Sequence, residues 1–449
     1  MQTLIKNGRV IDPANMIDGS FDILISDGKI EAVLPHGKIS ASKIKGAEVI
    51  NAKGCVVAPG FCDMHVHFRE PGHEYKETIE TGSVSAAAGG FSSVAVMPNT
   101  SPVNDNRSVT ELILSQAKKT GLVNIYPIGA ITKDLKGETL SDMGELKESG
   151  CIGYSDDGKP VMDSELMRRA LEYSRMFDLP CIQHSEILDL TRGGCMNEGV
   201  VSTELGLKGM PVEAEDIMVF RDICLLRKTG GRLHVAHISS GGAVDLVRHA
   251  KAKGLPVTCE VAPHHFTLTE EACRNYDTNA KMSPPLRTNE DIDMIKEGIR
   301  DGTIDIIATD HAPHDLADKQ VEFDNACFGI VGLETALPLT LKLVDEKVIT
   351  LQKAVDLLTY QPCRIFKLDK GTLGVGKDAD VVIFNPDTKL TIEPEKFKSR
   401  SKNSPYEGWQ VRGKVLHTLV AGKRSSTQVI NFDIRQFPPN QGRSKFDWQ

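Results

Sequence analysis

The feature that most constrains the fold is a cadence that repeats between Val56 and about Val344. A short apolar run is followed each time by a longer stretch in which apolar residues have helical spacing. This pattern is typical of parallel strands joined by helical crossovers, and eight such runs predict a closed (β/α)8 barrel of the TIM type, within the α/β class. The runs are CVVAPGFCDMHVHF, FSSVAVMPN, VNIYPIGAI, GCIGYSDD, LPCIQHSE, RLHVAHIS, LPVTCEVAPHH and IDIIATDHAPH.

The two ends of the chain carry a different pattern of short alternating segments. LIKNGRVID, DILISDGKIEAVLP and EVINAKGC precede the barrel block, and GKDADVVIFNP and VRGKVLHTLVAGKR follow it. Neither cluster alone has enough strands to be stable, so we expect one small β-sandwich domain built from both chain ends. We predict a composite domain of residues 1–57 plus 366–449 and a catalytic barrel of residues 58–365. The polar tail after Lys423 is interpreted as loosely held or as a subunit contact.

Composition excludes several classes of protein. A chain of 449 residues that is 40% hydrophobic can bury one large core and a smaller satellite. It shows neither a signal-peptide pattern nor an apolar run of roughly 18 residues, so we expect a cytoplasmic protein without a membrane partner. The net charge of −8 is spread along the chain and gives no support for nucleic-acid binding. Ten cysteines without a CxxC pair predict reduced, buried thiols.

The strongest single motif is the pair His65 and His67 at the end of the first barrel run. Side chains two apart on a strand point to the same side, so both imidazoles can reach one ion. An isolated pair would be interpreted as structural, because most histidines are. Four further candidates, however, lie at the ends of other runs: Asp157, His184, His237 and Asp310. Because active sites of such barrels lie at the C-terminal ends of the strands, the six side chains are predicted to meet.

These six side chains predict a metal centre. Nitrogen and carboxylate donors without thiolate suit Zn²⁺, and Mn²⁺ or Co²⁺ could occupy the same set. Six donors are too many for one open zinc and fit two ions roughly 3.5–4 Å apart, which would activate water and polarise a carbonyl. Our division gives His65, His67 and Asp310 to one ion and His184 and His237 to the other, with Asp157 between them. Asp310 is predicted to be the general base that later returns the proton to the leaving nitrogen.

The remaining histidines near the predicted mouth have no partner set. His234 is expected to point away from His237 into the core, because it lies on the opposite side of its strand. Packing or supporting roles are expected for His264, His265 and His311.

On its motifs the chain resembles the cyclic amidohydrolases, and within them the bacterial class I dihydroorotases, from LIKNGRVID to VLHTLVAGK. The motifs are DMHVHFREPG (63–72), VMPNTSP (96–102), YSDDG (154–158), VAHIS (235–239), PPLR (284–287), ATDHAPH (308–314) and FGIVGLETALP (328–338). The resemblance places the metal ligands of that family on the six positions already reached from spacing.

The resemblance also implies a substrate. Members of this family interconvert N-carbamoyl-L-aspartate and (S)-dihydroorotate in pyrimidine biosynthesis, with two Zn²⁺ per subunit. Arg69 and Asn99 match positions that hold the substrate carboxylate, and a guanidinium suits that bidentate task. Further substrate contacts are implied at His314, at the backbone of Phe328 and Gly329, and at Ser283, where the family commonly has Asn. The polar stretch 315–327 is predicted to be a mobile loop at the mouth.

Two alternatives stay open on the sequence. A hydantoinase, dihydropyrimidinase or allantoinase would usually bridge its metals with a carbamylated lysine, where this chain has Asp157. A non-catalytic scaffold subunit of aspartate transcarbamoylase would be expected to lack some of the six ligands, all of which are present. The family expectation for assembly is a homodimer, and association with aspartate transcarbamoylase is compatible with it.

Overall fold

A computed structural model describes residues 2–40 and 42–425. Its strands are β1 Gln2–Asp12, β2 Ile17–Ser26, β3 Lys29–Pro35, β4 Glu48–Asn51, β5 Val56–Pro59, β6 Phe61–Val66, β7 Phe91–Val96, β8 Asn124–Pro127, β9 Tyr154–Ser155, β10 Cys181–Gln183, β11 Met196–Asn197, β12 Gly209–Met210, β13 Leu233–Val235, β14 Val257–Val261, β15 Ile306–Ile307, β16 Val381–Thr391, β17 Gln410–Val420 and β18 Lys423–Arg424.

The helices alternate with the strands of the middle region, as the cadence predicts. They are α1 Ile79–Gly89, α2 Arg107–Thr120, α3 Met143–Ser149, α4 Ser164–Arg175, α5 Leu188–Thr191, α6 Val200–Leu205, α7 Glu213–Thr229, α8 Gly241–Ala252, α9 Pro263–Thr267, α10 Asn289–Asp301, α11 Leu316–Lys319, α12 Ala336–Asp345, α13 Leu351–Leu358 and α14 Tyr360–Ile365. The local sequence determines where several helices begin. The side chains of Asn106 and Asp163 accept hydrogen bonds from backbone N–H groups in the first turns of α2 and α4.

Eight parallel strands close into a barrel, one for each of the eight apolar runs. Strands β6, β7 and β8 form one parallel group, and β9, β10, β13, β14 and β15 form another. Parallel bridges between Gly129 and Tyr154 and between Val66 and His311 join the two groups at both seams. The predicted (β/α)8 barrel is therefore confirmed. Its closure brings the C-terminal ends of all eight strands to one face.

Both chain ends contribute to a separate β domain, as predicted, and its eight strands are hydrogen-bonded in one sheet. Its order is β18-β17-β16-β5-β1-β2-β3, and β4 pairs with β1. Strand β5 is parallel to β1 and antiparallel to β16, and it leads through Gly60 directly into barrel strand β6. The proposed boundaries at 57/58 and 365/366 stay predictions. The predicted character of the tail falls on residues outside the described part, apart from its first positions.

Three aromatic rings pack at the junction between the sheet and the barrel. Phe61 of β6 lies 5.7 Å from Phe91 of β7 and 5.9 Å from Phe384 of β16, measured between ring centroids. All three side chains are fully buried. A Cβ on Gly60 would lie 2.3 Å from Ser92 Oγ, so only glycine fits where the chain passes from sheet to barrel. Burial of these rings holds the two parts together.

The cysteines behave as the sequence predicts. All ten are free; eight are buried and two, Cys224 and Cys327, are half-buried. Among residues 2–40 and 42–425 there is no helix with the length and apolar character that a membrane crossing requires.

Candidate active site

The six predicted ligand residues lie together at one end of the barrel. His65 is on β6 and His67 follows it, whereas Asp157, His184, His237 and Asp310 come just after β9, β10, β13 and β15. All six are at most 5% exposed. The convergence follows from topology, because the six residues lie at the C-terminal ends of five parallel strands of one closed barrel.

Asp157 lies at the centre of the group. Its Oδ1 is 3.3 Å from His65 Nε2, 3.4 Å from His237 Nε2 and 3.7 Å from His184 Nδ1. Its Oδ2 is 3.3 Å from His67 Nε2. One carboxylate thus faces four imidazoles, with Oδ1 toward His65, His184 and His237 and Oδ2 toward His67. A carboxylate at the centre of such a set has the position of a bridging ligand.

Asp310 is the second carboxylate that faces His65 and His67. Its Oδ1 is 3.1 Å from His67 Nε2 and 3.6 Å from His65 Nε2. Its backbone is in the left-handed region, with φ of 47°, and that of His237 has φ of 29°. A non-glycine residue adopts such a φ at a cost of about 1–3 kcal/mol, which the surrounding structure has to offset. Both strained residues turn their side chains into the cluster.

The donor atoms of the cluster fit metal ions. Three overlapping sets have all their ligand atoms within 4.8 Å of one another: His65, His67 and Asp157; Asp157, His184 and His237; and His65, His237 and Asp310. Among the described residues, buried His65 Nε2 and His237 Nδ1 have no hydrogen-bond partner. The unpaired Nε2 of His65 lies beside the Asp157 carboxylate, which is costly unless a cation joins them, so the residues fit a metal centre.

Two glutamates that the sequence analysis missed hold the ligand histidines. Glu260 of β14 accepts a hydrogen bond from His65 Nδ1 at 2.5 Å, and its second oxygen lies 3.1 Å from His234 Nε2. Glu186 lies 2.9 Å from His184 Nε2. Partners of this kind fix the orientation and tautomer of a ligating imidazole. A charged residue inside the apolar run VTCEV was the available signal, because a buried carboxylate needs a partner.

The charges of the cluster are strongly coupled. Burial alone would lower the pKa of His184, but hydrogen bonds to Asp157 and Glu186 raise it to about 10. Burial opposes ionisation of Asp157, and the imidazoles of His65, His184 and His237 nevertheless hold its pKa well below the usual range. The site therefore favours anionic carboxylates that are neutralised by positive charge. A metal ion can supply that charge in place of protons.

The cluster opens into a cleft of about 700 Å³. Its walls include the predicted substrate residues Arg69, Asn99, Ser283, His314 and Phe328. The N–H of the sixth predicted residue, Gly329, donates to Lys281 O at 3.0 Å, and its carbonyl accepts from Asn403 Nδ2 at 3.0 Å. The amide of Gly329 is thus engaged by the protein itself.

The polar residues of the cleft wall are tied to the metal-ligand cluster or to the mouth. Asn99 Oδ1 lies 2.9 Å from His67 Nδ1, and Asn99 Nδ2 lies 3.5 Å from the Asp157 carbonyl. Ser283 Oγ is 3.5 Å from Glu186 Oε2. Arg69, with φ of 60°, donates through Nε to the carbonyl of Pro313 at 3.2 Å.

The segment 315–327 contains helix α11, and its last residue, Cys327, lines the cleft. Phe323 and Ala326 are buried, and Lys319 Nζ donates to the carbonyls of Thr278 and Cys327 at 2.8 and 2.7 Å. The predicted mobility of this segment stays a prediction.

The four further histidines that the sequence analysis weighed near the mouth are all buried: His234, His264, His265 and His311. His234 contacts Thr258 and Glu260, and His265 Nε2 lies 3.0 Å from the Pro284 carbonyl. His311 Nε2 lies 3.4 Å from Glu77 Oε2.

Comparison with known proteins agrees with this geometry. A family model described as dihydro-orotase-like matches residues 54–243, and one described as the amidohydrolase family matches residues 273–425. The chain is 56% identical over 423 residues to a dihydroorotase of Geobacter sp. (strain M21), covering 94% of this chain and 99% of the relative. It is 53% identical to a dihydroorotase of Syntrophotalea carbinolica, covering 94% and 98%.

Solved structures share the fold. The L-hydantoinase (dihydropyrimidinase) from Arthrobacter aurescens superposes with a TM-score of 0.83 at 25% identity, covering 94% of this chain and 95% of that one. The dihydropyrimidinase from Brevibacillus agri NCHU1002 superposes with a TM-score of 0.80 at 23% identity over 94% and 95% of the two chains. The latter likeness establishes the barrel architecture alone.

Proposed function

The chain belongs to the dihydroorotase family, and from this premise we propose that it interconverts N-carbamoyl-L-aspartate and (S)-dihydroorotate. The observation that carries the proposal is the set of four imidazoles around Asp157, which opens into the same cleft as the Arg69 guanidinium. The first feature suits hydrolysis or closure of a ring amide, and the second suits a substrate that carries a carboxylate.

We propose two Zn²⁺ per subunit, held by the six clustered residues. His65, His67 and Asp310 would hold one ion, and His184 and His237 the other, with Asp157 shared between them. Bound there, a metal pair supplies Lewis-acid polarisation of the carbonyl and a water of lowered pKa. Mn²⁺ or Co²⁺ would fit the same oxygen and nitrogen donors.

Asp310 is proposed as the proton carrier. In ring opening, the attacking water loses its proton to the Asp310 carboxylate as the C–O bond forms. Asp310 then gives that proton to the ring nitrogen as the C–N bond breaks. In ring closure the carbamoyl NH₂ nitrogen attacks the carbon of the protonated β-carboxyl group, and Asp310 takes one proton from that nitrogen. Asp310 gives this proton to the hydroxyl group, which leaves as water as the C–O bond breaks. The left-handed backbone at Asp310 directs its side chain into the cluster, where the reacting atoms would lie.

Three residues of the cleft are proposed to bind the substrate carboxylate. Arg69 would donate from its guanidinium fork, and Asn99 and His314 would donate from the adjacent walls. Phe328 is proposed to contact the ring through its backbone, Gly329 through the second lone pair of its carbonyl, which already accepts from Asn403, and Ser283 through its hydroxyl or a water. A pocket built for a carboxylate should reject rings without one, because its buried donors would be left unpaired.

A substrate panel tests the proposal. Protein reconstituted with zinc should hydrolyse dihydroorotate faster than hydantoin, dihydrouracil and allantoin, compared by kcat/KM. A preference for any ring that lacks the carboxylate would favour the hydantoinase alternative. Protein that binds fewer than two transition ions and stays inactive with added zinc would favour the scaffold alternative.

The assembly and location of the protein are further proposals. We propose a homodimer, with association with aspartate transcarbamoylase and a cytoplasmic location as additional expectations. Light scattering of the purified protein, alone and mixed with the transcarbamoylase, measures both assemblies directly.

A further inference from the structure

A lysine outside the predicted site contacts His314 in the cleft wall. Lys76 Nζ lies 3.2 Å from His314 Nδ1 and 3.1 Å from Asp318 Oδ2. On the other side of the same ring, Arg69 Nη2 lies 3.3 Å from His314 Nε2. The side chain of Lys76 is only 13% exposed and that of His314 only 8%. A buried imidazole thus lies between two cationic donors.

The number of donors around this ring exceeds what a neutral imidazole can accept. One ring nitrogen of a neutral histidine accepts a hydrogen bond and the other carries a hydrogen, whereas ammonium and guanidinium groups only donate. His314 therefore accepts from Lys76 or from Arg69, and in either case the other contact brings two hydrogens together. Protonating the ring would make both contacts repulsive. An anion between Arg69 and His314 would remove the conflict.

His314 is neutral in this environment. Burial lowers its pKa to about 3, and Arg69 and Lys76 act in the same direction against the opposing effect of Asp318. Asp318 Oδ2 lies 3.7 Å from His314 Nδ1, which is too long for a hydrogen bond. The ammonium of Lys76 is the nearer group to Nδ1. Its own position is held by Asp318, with which it pairs at 3.1 Å.

We infer that Lys76 is a positioning residue, which donates to His314 Nδ1 and so keeps the hydrogen of the ring on Nε2. His314 Nε2–H and the Arg69 guanidinium are then two donors that face the same carboxylate of the substrate. The inference rests on the proposed function, because it assigns the anion to the carboxylate of dihydroorotate and carbamoyl-aspartate. Binding of that carboxylate turns the repulsive Arg69–His314 contact into two charge-assisted hydrogen bonds.

The same cluster also has the spacing of a metal site, since ligand atoms of His314, Asp318 and Cys327 lie within 4.8 Å of one another. The ammonium of Lys76 already contacts the first two of these residues. A divalent ion would have to displace this ammonium. The resident cation of the cluster is therefore Lys76.

The ¹⁵N spectrum of the zinc-loaded protein tests the inference directly, because protonated and unprotonated ring nitrogens resonate in separate regions. The His314 signals are identified by their loss in His314→Asn. In the wild type we expect Nε2 protonated and Nδ1 unprotonated. In Lys76→Met we expect the hydrogen to move to Nδ1, since Arg69 is then the only donor that the ring faces. A wild-type ring protonated on Nδ1 would overturn the inference even if Lys76→Met did not fold.

Kinetics supply the second readout. Lys76→Met should raise KM for dihydroorotate about tenfold, as expected for one lost hydrogen bond to a carboxylate, with kcat nearly unchanged. Lys76→Arg, which keeps a donor, should restore most of the affinity. Lys353→Met is the matched control, because Lys353 also lies 3.1 Å from an aspartate carboxylate, on helix α13. It should leave KM unchanged.

The outcomes separate this inference from the proposed function. Wild-type protein that does not turn over dihydroorotate refutes the function, while the tautomer of His314 is still measured. Active wild-type protein whose Lys76→Met variant keeps both the tautomer and KM refutes the role of Lys76. An equal rise of KM in Lys76→Met when His314 is already Ala would also refute it, because Lys76 would then act without the histidine.

Discussion

Replacing Glu260 by Gln should weaken metal binding without unfolding the barrel. Glu260 is 1% exposed, accepts from His65 Nδ1 at 2.5 Å and lies 3.1 Å from His234 Nε2. Burial alone would raise the pKa of Glu260, but the imidazoles of His65 and His234 lower it, so it is ionised. Its negative charge keeps the hydrogen of His65 on Nδ1 and leaves the Nε2 lone pair facing Asp157.

The size of the effect follows from what glutamine keeps and loses. The amide has the same shape and still offers one oxygen to His65, so no cavity forms. It lacks the charge that increases the basicity of the imidazole, and its NH₂ group can only donate toward His234. Loss of such a partner typically weakens metal affinity about 10–100-fold, which corresponds to about 1.4–2.8 kcal/mol.

The assay is a zinc titration against a chromophoric chelator of known affinity, together with activity measured at each free zinc concentration. Glu260→Gln should shift both curves to about 10–100-fold higher free zinc, and activity should recover when zinc saturates. Glu334→Gln is the matched control, a carboxylate held by Ser85 and by backbone N–H groups away from the cluster. Unchanged zinc affinity in Glu260→Gln, or an equal loss in Glu334→Gln, would refute the reasoning.

Three further outcomes are expected. Asp310→Asn should lower turnover about 10²–10⁴-fold in both directions, measured with dihydroorotate and with carbamoyl-aspartate; a near-normal rate would remove Asp310 as the proton carrier. Phe61→Ala should lower the free energy of unfolding by about 3–5 kcal/mol in urea titrations, because Phe61 packs between Phe91 and Phe384; an unchanged midpoint would contradict that packing. Burial raises the pKa of Glu334 to about 7. The folded state therefore binds a proton that the unfolded chain, with a pKa of about 4.3, has released, so this contribution to stability is present at low pH and is lost as pH rises through about 7. The stability of Glu334→Gln relative to wild type should thus increase between pH 5 and 8; a constant difference would contradict the raised pKa.

The barrel could be predicted from the sequence because its strands are buried on both faces and its connections are helical. Each apolar run then marks one strand, and the residue after the run marks the catalytic face. This rule needs no side-chain detail. It therefore predicts that Asp157, His184, His237 and Asp310 lie at one site although they are far apart in the chain. It does not give the atoms that face one another, such as the two oxygens of Asp157 directed to different histidines.

The supporting residues were harder to predict because their partners are set by packing. Glu260 could have been found from its place inside an apolar strand, where an unpaired carboxylate would be too costly. Lys76 gives no such signal: it lies in a loop, and its contact with His314 spans 238 residues. Only the closed barrel brings those two loops together.

The motifs do not tell which nitrogen of each imidazole faces the cleft or whether that nitrogen carries a hydrogen. In the structure, the partner of the outer nitrogen determines both. The outer nitrogens of three ligand histidines face oxygen acceptors: His65 faces Glu260, His67 faces Asn99 and His184 faces Glu186. An acceptor on the outside holds the hydrogen there, so the inner nitrogen presents a lone pair suited to a cation. His314 has the opposite arrangement, because its outer nitrogen faces the ammonium of Lys76. A donor on the outside places the hydrogen on the inner nitrogen, which then suits an anion. Whether the outer partner accepts or donates a hydrogen bond thus separates these three imidazoles, which would bind metal, from His314, which would bind substrate.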